Sequence, residues 1–458
     1  VTDAVLSRLR EALGSALSTD PSTLESTRAD KSGHVSATAP LAIVTAGSIE
    51  DVQATLRIAN EFRMPVVPRG AGTGLAGGAV GEAGEIVLST LAMNRVLELS
   101  VADELAVVEP GILNGEFNDS LHEHGLWFAP DPASRAISTI GGNIATNAGG
   151  LLCAKYGVTR EAVLGLKVVL ADGRLLDLGH RSVKGVSGLD LTALMIGSEG
   201  TLGVIVEATL RLRPLPRGTV ATIGAYFPDI EAAATASAAI TAAGLAPAVM
   251  ELLDAASLRA IDAHLGSNLS SRGTAYLLVQ TDGVASASEA GEALAIIRSL
   301  GGEAELSTDA AEGERLLAIR RAFHPSLEAQ GTVLIEDVAV PRSMLPEMFR
   351  RIGLLEQKYH IAIPTVAHAG DGNLHPNFLI DGPATGGPPE VPDRIWEAAG
   401  ELFAAALALG GTLTGEHGVG ILKRRWLGDE LGGDQLGLQR EIKRLFDPQG
   451  ILNPGKVF

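Results

Sequence analysis

Pro68-Arg69-Gly70-Ala71-Gly72-Thr73-Gly74-Leu75-Ala76-Gly77-Gly78 follows an apolar stretch at 65–67, and what comes after it decides the fold. Five glycines leave bare backbone whose N–H groups suit the cradling of a pyrophosphate. A βαβ dinucleotide site would also need a helix opening at these glycines and an acidic residue about 20 positions on. The next residues, AVGEAGEIVLST, are instead a second glycine loop and a strand at 85–90. That excludes a Rossmann nicotinamide site here.

Outward from the loop, 41–45 reads as a strand and Ser48, with Ile49 and Glu50 behind it, as the start of a helix that leads to the strand at 65–67. The segments 96–100, 105–111 and 163–178 are strand-rich, the last a hairpin turning at Asp172-Gly173. Helices are expected over the N-terminal stretch, where Val5, Leu6, Leu9 and Leu13 repeat at helical spacing, and near GEFNDSLHEHG; 20–36 reads as a polar loop. RLRPLPRGT (211–219) looks like a boundary. Beyond it come a strand at 220–227, a helix at 230–243, a strand at 247–252, a helix at 255–263, a strand at 275–281 and a helix at 286–299, an order compatible with an enlarged ferredoxin-like unit. The fold class is α+β with mixed sheets, divided as 1–215, 216–445 and a Pro- and Gly-rich tail at 446–458.

Composition limits the function. Of 458 residues, 54 are acidic and 36 basic, a net charge of -18, which disfavours nucleic acid and anionic membrane as direct partners. The lone Cys153 excludes an intrachain disulfide, any CxxC metal site and a cysteine-ligated iron-sulfur cluster. No run of 18 apolar residues and no signal-peptide core occur, so the expected location is cytoplasmic, with membrane contact only peripheral and through a partner.

Two more glycine-rich segments suggest a long ligand. PDPASRAISTIGGNIATNAGG (130–150) and IGSEGTLGVI (196–205) supply Ser134, Thr139, Asn143, Thr146, Asn147, Glu199 and Gly200. Farther on, VAHAGDGNLHPNF (366–378) reads as a hairpin in which 369 faces 374 and His368 faces His375. Thr414-Gly415-Glu416-His417-Gly418-Val419-Gly420 sets a carboxylate and an imidazole between glycines. His368, His375 and Glu416 form a reasonable two-nitrogen, one-oxygen set for Zn²⁺ or Mn²⁺. The plainer alternative is two imidazoles hydrogen-bonding within the hairpin, just as Asp371 and Asn373 are first explained by the turn itself.

Taken together with GTLTGEHGVGILKR and LFDPQGILNPGKVF, these segments closely resemble FAD-linked oxidases of the vanillyl-alcohol oxidase and p-cresol methylhydroxylase superfamily. Within it, the chain is similar to D-2-hydroxyacid dehydrogenases, a group that includes the glycolate oxidase flavoprotein subunit, D-lactate dehydrogenase and D-2-hydroxyglutarate dehydrogenase. The likeness covers about the whole chain. It implies a two-part FAD-binding domain of the p-cresol methylhydroxylase type followed by a substrate, or cap, domain. Pro68, Arg69, Gly70, Ala71, Gly72, Thr73, Gly74, Gly77 and Gly78 would wrap the pyrophosphate. Pro130, Asp131, Ser134, Thr139, Gly142, Asn143, Thr146 and Asn147, with Glu199, Gly200, Gly203 and Ile205, would line the rest of FAD, and Asn453 in the tail would return to it. The first loop offers only Thr73 where some relatives carry a flavin-tethering histidine, which implies noncovalent FAD.

The same resemblance gives the metal to His368, His375 and Glu416, proton removal to His417 and the substrate carboxylate to Arg320, with Asn377 and His324 near the substrate. Arg321 would be a solvated neighbour. His324 and Ile335 stand where 2-hydroxyglutarate enzymes carry a threonine and a lysine, which favours a small substrate such as D-lactate or glycolate over a dicarboxylate. The other readings are an O2-using oxidase, a 2-hydroxyglutarate-type dehydrogenase, an alkylglycerone-phosphate synthase-like enzyme and a noncatalytic flavoprotein subunit. The electron acceptor is left open between a quinone, a cytochrome, an electron-transfer flavoprotein and an iron-sulfur subunit, and a homodimer is the base expectation.

Overall fold

The computed structural model describes residues 2–380 and 391–458, which group into two compact units. The first comprises 1–149, 157–215 and 416–458, the second 150–156 and 216–415.

In the first unit the decisive loop does join two strands. Val66–Arg69 and Ile86–Ser89 lie parallel and adjacent, with Ala42–Thr45 parallel on the other side of Ile86–Ser89. Helix Ile49–Phe62 is started by Ser48, whose side chain accepts from the Asp51 N–H at 3.2 Å, and is ended by Arg63 in a left-handed conformation. Helix Thr2–Leu13 buries Val5, Leu9 and Leu13 against the same core. The segment read as a polar loop holds a short helix, Pro21–Glu25, because Asp20 caps it and Pro21 occupies its first turn. A five-stranded antiparallel sheet follows, in the order Val96–Ser100, Leu105–Val108, Val204–Arg211, Val163–Val169, Leu175–Gly179. Its last hairpin turns at Asp172-Gly173, with Gly173 at φ +82°.

The second unit begins as Ala221–Phe227, Ile230–Ala242, Val249–Leu253, Ala275–Thr281, Ser286–Ser299 and Glu303–Ser307, with helix Ala255–Leu265 between its second and third strands. Its four strands stand in the spatial order 4-1-3-2, all antiparallel, which is the ferredoxin-like arrangement. The enlargement is specific. Strand Thr365–His368 adds to the Val249–Leu253 edge, and Asn373–Ile380, Thr332–Ile335 and Val338–Ala339 continue the sheet.

Where 216–445 with a tail at 446–458 was expected, the chain rejoins the first unit at Glu416. The reason is bonding beyond that point. Glu199 accepts the N–H groups of Val419 and Gly420, both at 2.8 Å, and Lys443 donates to the Thr201 carbonyl at 2.7 Å.

Candidate active site

The hairpin at 365–380 differs from its expected pairing. His368 faces Asn373 and Val366 faces His375, so the four-residue turn lies at Ala369–Gly372 rather than at 370–373, closed by Gly372 N–H donating to the His368 carbonyl at 3.0 Å. Gly372 sits at φ +89°, and a Cβ there would meet the Val340 carbonyl at 2.1 Å. A two-residue slip preserves the face of every side chain, whereas a slip of one would invert it. His368 and His375 are therefore diagonal neighbours, ring centroids 5.1 Å apart and edge to face.

Sheet register supplies the next group. Glu251 lies directly across from His368 on the neighbouring strand. Its carboxylate is fully buried, with Oε1 2.6 Å from His368 Nδ1 and Oε2 accepting from Arg320 Nε at 2.6 Å. Burial alone would push this carboxyl up, but the charges of His368 and Arg320 and their hydrogen bonds outweigh it and hold it below the usual carboxylate range. Arg320 comes from the last turn of helix Ala310–Arg321, which Asp309 caps and which packs Leu316, Leu317 and Ile319 on the sheet. Its Nη atoms make no hydrogen bond among the described residues. Arg321 pairs with Glu314 at the surface.

A second buried acid lies near His375. Asp337 accepts from Asn373 Nδ2 and from Thr414 Oγ1, both at 2.6 Å, and lies 4.0 Å from His375 Nδ1. Asn373 also donates to the Val338 carbonyl at 2.9 Å, so its side chain does more than the turn explanation allowed. Ala339 and Thr412 exchange backbone hydrogen bonds, which fixes the chain as it reaches Gly415. Glu416 follows directly, and ligand atoms of His368, His375 and Glu416 all lie within 4.8 Å of one another. Two nitrogens and a carboxylate oxygen at that spacing fit a divalent metal, and the His368 Nδ1 contact to Glu251 directs Nε2 as the ligating atom. Gly149 leaves room for this carboxylate, since a Cβ there would lie 2.4 Å from Glu416 Oε2.

Asn377 shares the face of His375, is fully buried and donates from Nδ2 to the His375 carbonyl at 2.7 Å, while its Oδ1 accepts nothing among the described residues. It faces Ile335 across the strands. His324 stacks obliquely beside Phe323, ring centroids 5.2 Å apart. Cys153 is buried.

The cofactor-binding candidates converge within the first unit. Among the described residues, the N–H groups of Ala71 to Gly78 donate no hydrogen bond, although the loop is partly buried. Such a row of donors fits a pyrophosphate. A Cβ at Gly70 would lie 2.4 Å from Thr139 Oγ1, and one at Gly200 3.1 Å from Pro68, so the three glycine segments meet. Asn453 donates to the carbonyls of Gly78 at 3.0 Å and Glu199 at 2.8 Å, and its Oδ1 is buried without a partner among the described residues, an acceptor that suits a ligand N–H or hydroxyl.

Other candidate side chains hold the scaffold. Arg69 folds under its own loop onto the carbonyls of Ala79 and Ala29, and Thr139 caps helix Ile140–Thr146. Asn143 bonds Asn114 and Ser138, Thr146 the Gly142 carbonyl, and Asn147 the Arg160 N–H. The Pro130 carbonyl accepts from Asn114, and that of Ser134 from the N–H groups of Ile137 and Ser138. Gly203 leaves room for Val168, and Ile205 is buried in its strand. Glu199 grips the segment after His417, and its own withdrawal from water pushes its pKa up to about 7 against the pull of Val419, Gly420 and Lys423.

The sequence reading missed Glu251 and Asp337. An acidic residue inside the apolar run V249-M-E-L-L253 was the available signal for the first.

Residues 40–179 match the model of an FAD binding domain, and residues 218–457 that of the FAD linked oxidases, C-terminal domain. The chain is 40% identical over 424 residues to the glycolate oxidase subunit GlcD of Bacillus subtilis, covering 92% of this chain and 89% of that one. It is 38% identical over 418 residues to a D-lactate dehydrogenase of Archaeoglobus fulgidus, covering 91% and 90%. In fold it is similar to p-cresol methylhydroxylase with substrate bound, at a TM-score of 0.80 and 18% identity over 99% of this chain and 96% of that one. An alkyldihydroxyacetonephosphate synthase gives 0.75 at 19% identity over 98% and 85%, a likeness of fold alone.

Proposed function

Because the chain belongs to the FAD-linked oxidases, we propose that it oxidises a small D-2-hydroxy acid, of the size of D-lactate or glycolate, to the 2-oxo acid. The observation that carries this reading is one buried carboxylate, Glu251, bonded both to a histidine of the metal-ligand set and to an arginine whose Nη edge is uncommitted. When bound, FAD supplies a hydride acceptor and the divalent metal a Lewis acid.

The chain's own residues supply binding and proton transfer. Arg320 presents two Nη donors, a matched pair for the two oxygens of a carboxylate. His368, His375 and Glu416 would hold the divalent metal, and Asn377 Oδ1 is a buried acceptor on the face of His375. His417, next to Glu416, takes the hydroxyl proton as the C2 hydride leaves, a task suited to an imidazole near neutral pH. FAD would be held without a covalent link, by the backbone of 70–78 and by the buried Asn453 Oδ1.

Ile335, opposite Asn377, brings no cation to that face. A second carboxylate placed there would be buried unpaired, which favours monocarboxylate substrates. No described helix is long and apolar enough to cross a membrane. The test is reduction of the bound flavin by D-lactate or glycolate under anaerobic conditions. Failure of every small 2-hydroxy acid to reduce it in metal-loaded protein overturns the reading.

A further inference from the structure

Glu251 is an expensive residue to keep where it stands. Its strand neighbours on the same face, Val249 and Leu253, belong to an apolar cluster with Leu258, Ile261, Leu316, Phe323 and Val366. A carboxylate fully buried there is tolerated only with partners on both oxygens. It has one on each, His368 Nδ1 at 2.6 Å and Arg320 Nε at 2.6 Å.

We propose that Glu251 is a positioning residue that sets the metal-ligating histidine and the substrate-binding arginine at once, so that metal affinity and substrate affinity stand or fall together. The inference rests on the functional reading above and deepens it. Chemistry gives the reason. An ionised carboxylate only accepts, so His368 must carry its proton on Nδ1, which leaves the Nε2 lone pair for a metal. Arg320 only donates, and engagement of its Nε fixes the guanidinium plane with the Nη1/Nη2 edge turned to the substrate carboxylate. Both arms come from one rigid group at the middle of a sheet, and neither can turn without breaking a 2.6 Å contact.

The plain alternative is that Glu251 only neutralises Arg320 in the core. Glu251→Gln separates the two. A glutamine has one acceptor oxygen and one donor nitrogen, so it satisfies Arg320 or His368 but not both, and an amide N–H facing Nδ1 moves the imidazole proton to Nε2, where it blocks the metal. In flavin-loaded protein stripped of metal, calorimetric titration with Mn²⁺ is expected to show a dissociation constant raised by about tenfold or more. The KM for D-lactate rises with it, and flavin content stays at the wild-type level. Lower thermal stability with Mn²⁺ affinity and KM both within twofold of wild type would overturn the proposal.

A measurement on wild-type protein guards against a variant that does not fold. Nitrogen-15 spectra of His368, assigned by the signal lost in His368→Ala, are expected to show the proton on Nδ1. A proton on Nε2 would overturn the proposal regardless of any variant. Wild-type protein that binds no Mn²⁺ and is not reduced by any 2-hydroxy acid would instead defeat the functional reading beneath it.

Discussion

Glu199→Gln tests how the segment beyond His417 is held. In the wild type the Glu199 carboxylate accepts the N–H groups of Val419 and Gly420 at 2.8 Å each, and its pKa stands at about 7 rather than 4.5 because it is withdrawn from water. The folded state therefore holds a proton that the unfolded chain gives up at lower pH. This contribution to stability is full below about pH 4.5 and is lost as pH rises through about 7. Between pH 5 and pH 8 the loss is about 2.5 kcal/mol, since a tenfold difference in proton affinity between the folded and unfolded chain is worth about 1.36 kcal/mol. The side chain keeps some contact with water, so this is an upper bound. A glutamine does not titrate. Melting temperature measured from pH 5 to 8 should fall more steeply in wild type than in Glu199→Gln, the gap widening by up to roughly 5–10 °C for a domain of this size. The carboxyl of Asp254, pushed up to about 6 by burial, titrates in both proteins and cancels from the difference. Parallel curves would refute the assignment of a titrating carboxylate at Glu199.

Two further substitutions bear on the chemistry. His417→Ala should slow flavin reduction roughly 100-fold or more with flavin and metal still bound, measured by stopped-flow absorbance; an unchanged rate removes it as the base. Gly149→Ala puts a methyl group 2.4 Å from the present position of Glu416 Oε2, so Mn²⁺ affinity should fall about tenfold while flavin content holds, and unchanged affinity would remove Glu416 from the ligand set.

Local signals read correctly wherever the determinant was local. Ser48 caps its helix, Asp172-Gly173 turns its hairpin, and the strands and helices of 221–299 fall within two residues of their expected bounds. Pairing register was less legible. The G-D-G-N run suggested a loop over 370–373, but the four-residue loop forms one position earlier, over Ala369–Gly372, with Gly372 passing against the Val340 carbonyl. The histidines still share a face because the error was an even number of residues. Glu251 and Asp337 stayed invisible as site residues because their partners lie far away in sequence, His368 from Glu251 and Thr414 from Asp337, and only sheet order brings them together. Side-chain roles in the cofactor loops were similarly beyond a sequence reading: Asn143 and Thr139 look like ligand contacts, yet their polar atoms hold the loops themselves.

The most direct test of the central claim is anaerobic absorbance near 450 nm on purified, flavin- and metal-loaded protein, titrated separately with D-lactate, L-lactate, glycolate and D-2-hydroxyglutarate. Bleaching by D-lactate or glycolate, with L-lactate and D-2-hydroxyglutarate much weaker, is the expected result. A flavin that stays oxidised with all four, or that D-2-hydroxyglutarate reduces best, would contradict the account.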